Sequence, residues 1–239
     1  MHPLDNVIWQ ALTTRQAEFA EAHREARRFI PEVTSLTAFR EPSVEGYDSL
    51  AGLVRPGGTA LLSLVDRFES ARSWELVLTF PGLQMVCENG DAGVRRADAA
   101  LPFPIEELGS RDSADMVELA ALTQPGPFGP RTHELGSYLG IRFEGKLIAM
   151  AGERLKVPGY TEVSAVCTHP EHTGKGYARI LMLEIMRGIW ERGEIPFLHV
   201  RQSNTRAVEL YKRLGFRTRM VVQFTVLRRI KSLSDRVIG

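Results

Sequence analysis

Apolar side chains recur at Ala178, Leu181, Met182, Ile185, Met186 and Ile189, a spacing that lines one face of a helix, while Arg179, Glu184, Arg187 and Glu191 fall largely on the other. Just before them, Val163 to Thr168 is small and β-branched, Pro170 stops that run, and Gly174 and Gly176 punctuate a turn. The pattern predicts a strand, a glycine turn and a helix in succession. A second helical stripe, Ala207, Leu210, Tyr211 and Leu214, follows Asn204 as a plausible N-cap and ends at Gly215. Between the two helices Pro196 to Arg201 reads as a strand. Upstream, Tyr138 to Glu144 and Lys146 to Lys156 form a predicted hairpin through Glu144-Gly145, and Pro158-Gly159 turns the chain into the strand before the glycine turn.

The earlier part of the chain alternates strands and helices. Asn6 to Leu12 reads as a short helix, and Thr13-Thr-Arg-Gln16 resembles a capping box opening a charged helix to about Phe29, which Pro31 ends. Its His23, Arg24, Arg27 and Arg28 read as a solvated face. Leu36 to Phe39 is a predicted strand, Ser43 to Val54 a helix, Arg55-Pro-Gly-Gly58 a turn, and Thr59 to Val65, Glu75 to Phe80 and Leu83 to Cys87 further strands. Asn89-Gly-Asp91 is another turn. Leu101-Pro-Phe-Pro104 reads as a linker or domain-edge strand, because two prolines so close resist a helix. Ser113 to Thr123 is an amphipathic helix, and the dense Pro/Gly run Gln124 to Pro130 is a surface loop.

Composition narrows the class. The chain has 239 residues, 44% hydrophobic and 25% charged, with a formal net charge of +1. That is an ordinary globular composition without the basic field of a nucleic-acid binder. Two cysteines, Cys87 and Cys167, make no disulfide framework. Neither a signal-peptide pattern nor a membrane-length apolar run is present, so no membrane partner and a cytoplasmic location are expected.

The glycine turn is where chemistry enters. A helix entered through Gly-Lys-Gly leaves backbone N–H groups pointing outward with the positive end of the macrodipole behind them, an arrangement suited to phosphate. A Walker loop is excluded because His169 stands where its first glycine belongs and Gly176 where its hydroxyl residue belongs. The dinucleotide fingerprint is excluded by Arg179 at its third glycine. Thr173-Gly174-Lys175-Gly176-Tyr177-Ala178 instead resembles the pyrophosphate loop of the GNAT N-acetyltransferase superfamily, Arg/Gln-x-x-Gly-x-Gly/Ala, with Thr173 departing from the long polar first position. Asn204 to Phe216 resembles the family's other hallmark, Asn-x-x-Ala-x-x-Leu-Tyr-x-x-x-Gly-Phe, at every named position.

The resemblance implies an α/β acyltransferase fold, a mixed and mainly antiparallel sheet flanked by helices that splays near its central strand to admit acetyl-CoA. It covers about residues 104 to 228. It divides the chain into a degenerate GNAT-like domain over residues 1–100 and a catalytic domain over residues 101–239. The implied reaction is direct transfer of acetyl from acetyl-CoA to a primary amine of a small molecule or peptide, with no metal and no nucleic acid. A homodimer stays open. Such chemistry needs a base for the amine, a brief hold on an oxyanion and a proton for the departing thiolate.

The family pattern assigns roles residue by residue. Glu162 lies eleven residues before Thr173, the spacing of the strand glutamate that serves as base in histone-type members. A water chain or a plain solvated carboxylate are the alternatives. Strand alternation places Glu162, Ser164 and Val166 on one face, provided no bulge intervenes. Tyr211 matches the tyrosine that protonates the CoA sulfur, and Asn204 and Ala207 match positions along the pantetheine arm. Val166, Cys167 and Thr168 offer backbone groups to the pantetheine amides, as an added strand pairs with a sheet edge. Thr173, Gly174, Lys175, Gly176, Tyr177 and Ala178 hold the diphosphate. In this reading Gln124 to Pro130 is either a connector or the acceptor entrance.

Other residues are set aside. His169-Pro-Glu-His172 has two histidines and no evident third ligand, which argues against zinc. Cys167 reads as a small buried residue and His199 as a satisfied structural histidine. Leu227-Arg-Arg-Ile-Lys231 reads as a frayed basic edge. A reading of another class also stands, a non-catalytic acyl-CoA-binding regulatory or interaction module, favoured by Thr173 and opposed by Tyr211.

Overall fold

The computed structural model describes residues 2–88 and 103–230. The turn expected at Asn89 to Asp91, and Leu101, Pro102 and Lys231 of two segments named above, lie outside the described residues. The chain divides into two compact units, one made of Met1–Pro31, Ser35–Gly82 and Val221–Gly239, the other of Glu32–Thr34 and Leu83–Met220. Their elements, in chain order, are α1 Val7–Thr13, β1 Ala20–His23, β2 Ala26–Phe29, β3 Thr37–Phe39, α2 Val44–Leu53, β4 Thr59–Leu64 and β5 Trp74–Val86. Then come β6 Glu106–Leu108, α3 Ser113–Thr123, β7 Tyr138–Phe143, β8 Lys146–Val157 and β9 Tyr160–Thr168. The last are α4 Tyr177–Glu191, β10 Ile195–Arg201, α5 Thr205–Arg213 and β11 Arg217–Arg229.

In the first unit β1, β2 and β3 form an antiparallel sheet, and β4 pairs with the last part of β11. The charged helix expected from Thr13 to Phe29 is replaced by a short 3-10 turn and the β1–β2 hairpin. The local reason is visible at Thr13 and Thr14. Their hydroxyls donate back to the carbonyls of Trp9 and Gln10, four residues earlier, so they close α1 and cap nothing ahead of it. Beyond them, burial of Ala26 and Phe29 and pairing with β3 outweigh helix propensity. Ser43 caps α2 as expected, accepting the Gly46 N–H at 3.1 Å. The two strands read at 75–80 and 83–87 are one strand, β5. The basic ending is also corrected. Leu227 is wholly buried opposite Ala60, Arg228 pairs with Thr59, and Arg229 donates to the Val54 carbonyl, so this segment is a built-in strand and no frayed edge.

In the second unit the strand order is β11-β5-β10-β9-β8-β7-β6, using the ends of β5 and β11 that belong to it. The β6–β7, β7–β8 and β8–β9 pairs are antiparallel, and β9–β10 is parallel. The β7–β8 hairpin turns through Glu144 (φ 50°) and Gly145 (φ 81°), the left-handed pair that suits the twist of a tight hairpin. One face of the sheet packs on α4 through Leu181, Met182, Ile185, Met186 and Ile189, the stripe the periodicity defines. Each such side chain, fully buried, contributes on the order of 1.5–3 kcal/mol. Met116, Leu119 and Ala120 of α3 pack with Tyr138, Met150, Ala165 and Cys167 in a separate cluster.

Two details shape the centre. The parallel ladder joins Ile195, Pro196 and Phe197 to Tyr160, Thr161 and Glu162, and there it stops, so β9 and β10 part beyond Glu162. The β8–β9 ladder slips by a residue between Ser164 and Cys167, where Ala165 has φ 52°. This bulge overturns the expected alternation. Val166 packs with Val163 in the α4 core, while Ala165 and Cys167 belong to the cluster under α3.

Candidate active site

The chain leaves β9 at Thr168, makes a 3-10 turn over Pro170–His172 and enters α4 through Gly174 (φ 80°) and Gly176 (φ 81°). Both glycines hold a backbone region that side chains with a Cβ rarely adopt. Among the described residues no side chain caps α4, so the N–H groups of its first turn remain available to an outside acceptor. Tyr177 is buried in the core, which leaves its backbone as the part that faces a ligand. Asn204 caps α5, accepting the Ala207 N–H at 3.2 Å.

These parts meet in one cleft of about 640 Å³ between the open edge of β9, the entrance of α4 and one face of α5. Val166, Cys167, Thr168, Thr173, Gly174, Lys175, Gly176, Tyr177, Ala178, Asn204, Ala207 and Tyr211 all line it. Glu162 does not. Among the described residues that line it, four are Lys or Arg, namely Lys175, Arg179, Arg206 and Arg213, against one carboxylate, Glu209, which Lys212 pairs at 2.9 Å. The sign suits an anionic ligand. Arg179, Arg206 and Arg213 escape sequence reading because a charged residue on an exposed helix face is usually only solvated.

At the inner end Tyr211 is buried and close to Cys167. Burial, reinforced by the Cys167 sulfur, pushes the Tyr211 phenol up to about 12, which keeps its proton in place at neutral pH. Burial likewise pushes the Cys167 thiol up to about 11, with hydrogen bonds to Thr123 and Met150 opposing it, so Cys167 is no thiolate nucleophile.

Glu162 has no solvent exposure. Arg154 donates from Nε and Nη2 to its two oxygens, each at 2.9 Å, His199 Nδ1 lies 2.7 Å from Oε1, and the Leu155 N–H lies 3.3 Å from Oε2. Burial alone would raise this carboxyl, but Arg154 and His199 outweigh it and hold the group well below the ordinary carboxylate range. Unlike the exposed strand carboxylate weighed at first, it is a locked anion. His199 is satisfied as expected, and what pattern reading missed is its partner, because the contact joins two strands.

The loop Gln124 to Pro130 lies against this network. A Cβ on Gly126 would sit 3.7 Å from Arg154 Nη1, and the Phe128 ring meets Tyr138 edge-on at 5.8 Å. A second hollow, of about 380 Å³, lies between α3, the β7–β8 turn and His169, Glu171 and His172. The turn brings Glu171 to the two histidines, with ligand atoms within 4.8 Å of one another, a third group that the sequence pattern did not single out. Lys175 Nζ stands 3.5 Å from His172 Nδ1 and opposes a cation there.

The comparisons agree with this geometry. The family model described as FR47-like protein matches residues 138–225. Over 126 residues the chain is 32% identical to the N-alpha-acetyltransferase RimI of Mycobacterium tuberculosis, spanning 48% of this chain and 78% of that protein. The chain belongs to the GNAT family of N-acetyltransferases. A solved GNAT-family structure from Novosphingobium aromaticivorans is 33% identical, with a TM-score of 0.87 covering 97% of this chain and 100% of that one. A GCN5-related N-acetyltransferase from Kribbella flavida shares the fold at 16% identity, with a TM-score of 0.62 over 97% of this chain and 98% of its own. The mainly antiparallel GNAT sheet with flanking helices is therefore the architecture of this chain.

Proposed function

We propose that this GNAT protein transfers an acetyl group from acetyl-CoA to a primary amine by direct attack in a ternary complex. The observation that carries the reading is the convergence in one cleft of an open strand edge, an uncapped helix entrance with two left-handed glycines, and a buried protonated tyrosine. In this reading the α4 entrance, Thr173 to Ala178, holds the diphosphate of the donor through backbone N–H groups. Val166 to Thr168 pair with its amide arm along the edge that β10 leaves free, with Asn204 and Ala207 on the opposite wall. Tyr211 protonates the departing thiolate. Glu162 belongs to the group that relieves the amine of its proton.

Because the Mycobacterium relative is named an N-alpha-acetyltransferase, the α-amine of a peptide is the acceptor class to test first. The first unit, where no counterpart of the glycine turn is found among the described residues, fits a degenerate half of the same fold. Calorimetric titration with acetyl-CoA and desulfo-CoA, followed by thiol release with pooled amines and peptides, tests the proposal. Binding with amine-dependent thiol release supports it. Binding with no release from any amine would return the protein to a non-catalytic acyl-CoA-binding module.

A further inference from the structure

One side chain from each of five neighbouring strands forms a polar row across the second unit. It runs Arg154 on β8, Glu162 on β9, His199 on β10, Gln84 on β5 and Arg219 on β11. The chemistry of its ends determines the direction of every bond. Arg219 can only donate, and it does so to Gln84 Oε1 at 2.7 Å, which turns the Gln84 amide nitrogen toward His199 Nε2 at 3.2 Å. At the other end Glu162 is an anion held by Arg154 and can only accept, so His199 Nδ1 carries the hydrogen and donates it at 2.7 Å. His199 Nε2 is therefore the nitrogen with the lone pair, accepting the Gln84 N–H.

The place matters as much as the tautomer. Glu162 is the last β9 residue in the parallel ladder, opposite Phe197, and His199 lies two residues further along β10. The pair bridges the two strands where they begin to part, on the same gap whose β9 side continues into Val166, Cys167 and Thr168 of the cleft. Arg154 and His199 bond both Glu162 oxygens, and Glu162 has no exposed surface. The His199 side chain is 3% exposed, and its Nε2 meets the neutral Gln84 amide at 3.2 Å, a weaker bond for an incoming ammonium to displace than the charge-assisted ones on Glu162.

Building on the acetyltransferase reading above, we infer that His199 is the catalytic base and Glu162 its positioning residue, an arrangement in which a buried carboxylate sets the tautomer of an imidazole and stabilises its charged form. The acceptor ammonium replaces the Gln84 amide as donor to Nε2 and gives up one proton, leaving R–NH2. That nitrogen attacks the thioester carbon, the N–C bond forms and the C–S bond breaks. Tyr211 protonates the sulfur and is reprotonated by the second proton lost from nitrogen. The proton on His199 returns to solvent, so each turnover releases amide, free thiol and one proton. Charged groups along the row are Glu162 and Arg154 on one side of His199 and Arg219 beyond Gln84 on the other, with the Tyr138 phenol near Arg154 and Glu162.

The test uses the full chain with acetyl-CoA and two kinds of acceptor. Trialanine, spermidine and Nα-acetyl-lysine arrive as ammonium ions, whereas hydroxylamine is already largely unprotonated at neutral pH and needs no base. His199→Gln is expected to lower kcat for the ammonium acceptors by about 10²-fold or more, the scale of general-base catalysis, while acetyl-CoA affinity and the hydroxylamine rate stay near wild type. Glu162→Gln should show a smaller loss with the same selectivity. Added imidazole should restore part of the activity of His199→Ala, which a purely structural role would not allow. Equal losses for ammonium acceptors and hydroxylamine, or an undiminished His199→Gln, would overturn the inference and leave the acetyltransferase reading intact. A wild-type protein that binds acetyl-CoA yet releases thiol with none of these acceptors would overturn both.

Discussion

The guanidinium of Arg154 grips the carboxylate of Glu162 through two parallel bonds of 2.9 Å in a setting where Glu162 has no exposure and the Arg154 side chain only 9%. A bidentate pair so deep is worth little against an apolar pair of the same shape, but breaking one side strands a buried charge.

Arg154→Ala is therefore expected to destabilise the fold by about 3–5 kcal/mol at neutral pH, read from urea midpoints. In the native protein the depressed Glu162 carboxyl contributes stability that is fully present above its unfolded value of about 4.3 and is lost as pH falls from there through the folded value. In the variant burial dominates and the carboxyl is raised instead, so the deficit should grow as pH rises from about 4.3 through that raised value, be complete only above it, and shrink in acid. A deficit independent of pH would show that packing, rather than charge, is what Arg154 supplies.

Tyr211→Phe should lower turnover by about 10²-fold while acetyl-CoA affinity by calorimetry changes little. Since the phenol is pushed up to about 12, no loss of activity from its ionisation is expected between pH 6 and about 10. Unchanged turnover in the variant would remove Tyr211 from the mechanism.

At Gly174 and Gly176 an added Cβ meets none of the described residues within 4 Å, so substitution there is a matter of backbone strain and not of collision. Valine at either position, forced to φ near 80°, should cost about 1–3 kcal/mol or redirect the loop. Calorimetry should then register acetyl-CoA binding at least tenfold weaker. Valine at Gly145, another left-handed glycine away from the cleft, controls for general destabilisation.

Among the described residues the buried Tyr138 hydroxyl has no hydrogen-bond partner, and burial drives its phenol far above the ordinary range, with Arg154 opposing. Tyr138→Phe removes an unsatisfied group and should be neutral or stabilise by about 1 kcal/mol. Gly152→Ala, in contrast, drives a Cβ to within 2.2–2.5 Å of the same ring and should destabilise by about 1–3 kcal/mol. Thermal melts of the two variants should move in opposite directions, or the first not at all.

Sequence alone determined the elements whose signals are local. The α4 stripe, the left-handed glycines before it, the Asn204 cap and the β7–β8 hairpin all follow from spacing and backbone preference, and the residues that the family resemblance assigns to acetyl-CoA line one cleft. Tertiary structure decided the rest, because those outcomes depend on neighbours distant in the chain. Pairing with β3 turned residues 20–29 from helix to hairpin, and pairing with β4 ordered the basic ending. The Ala165 bulge put Val166 on the same face as Val163, a one-residue slip that no alternation pattern records. Above all, Arg154, Gln84 and Arg219 carry no signal in the sequence, and nothing there joins them to Glu162 and His199. Only the order of strands in the sheet places them in contact, and only burial turns that contact into a chain of directed hydrogen bonds.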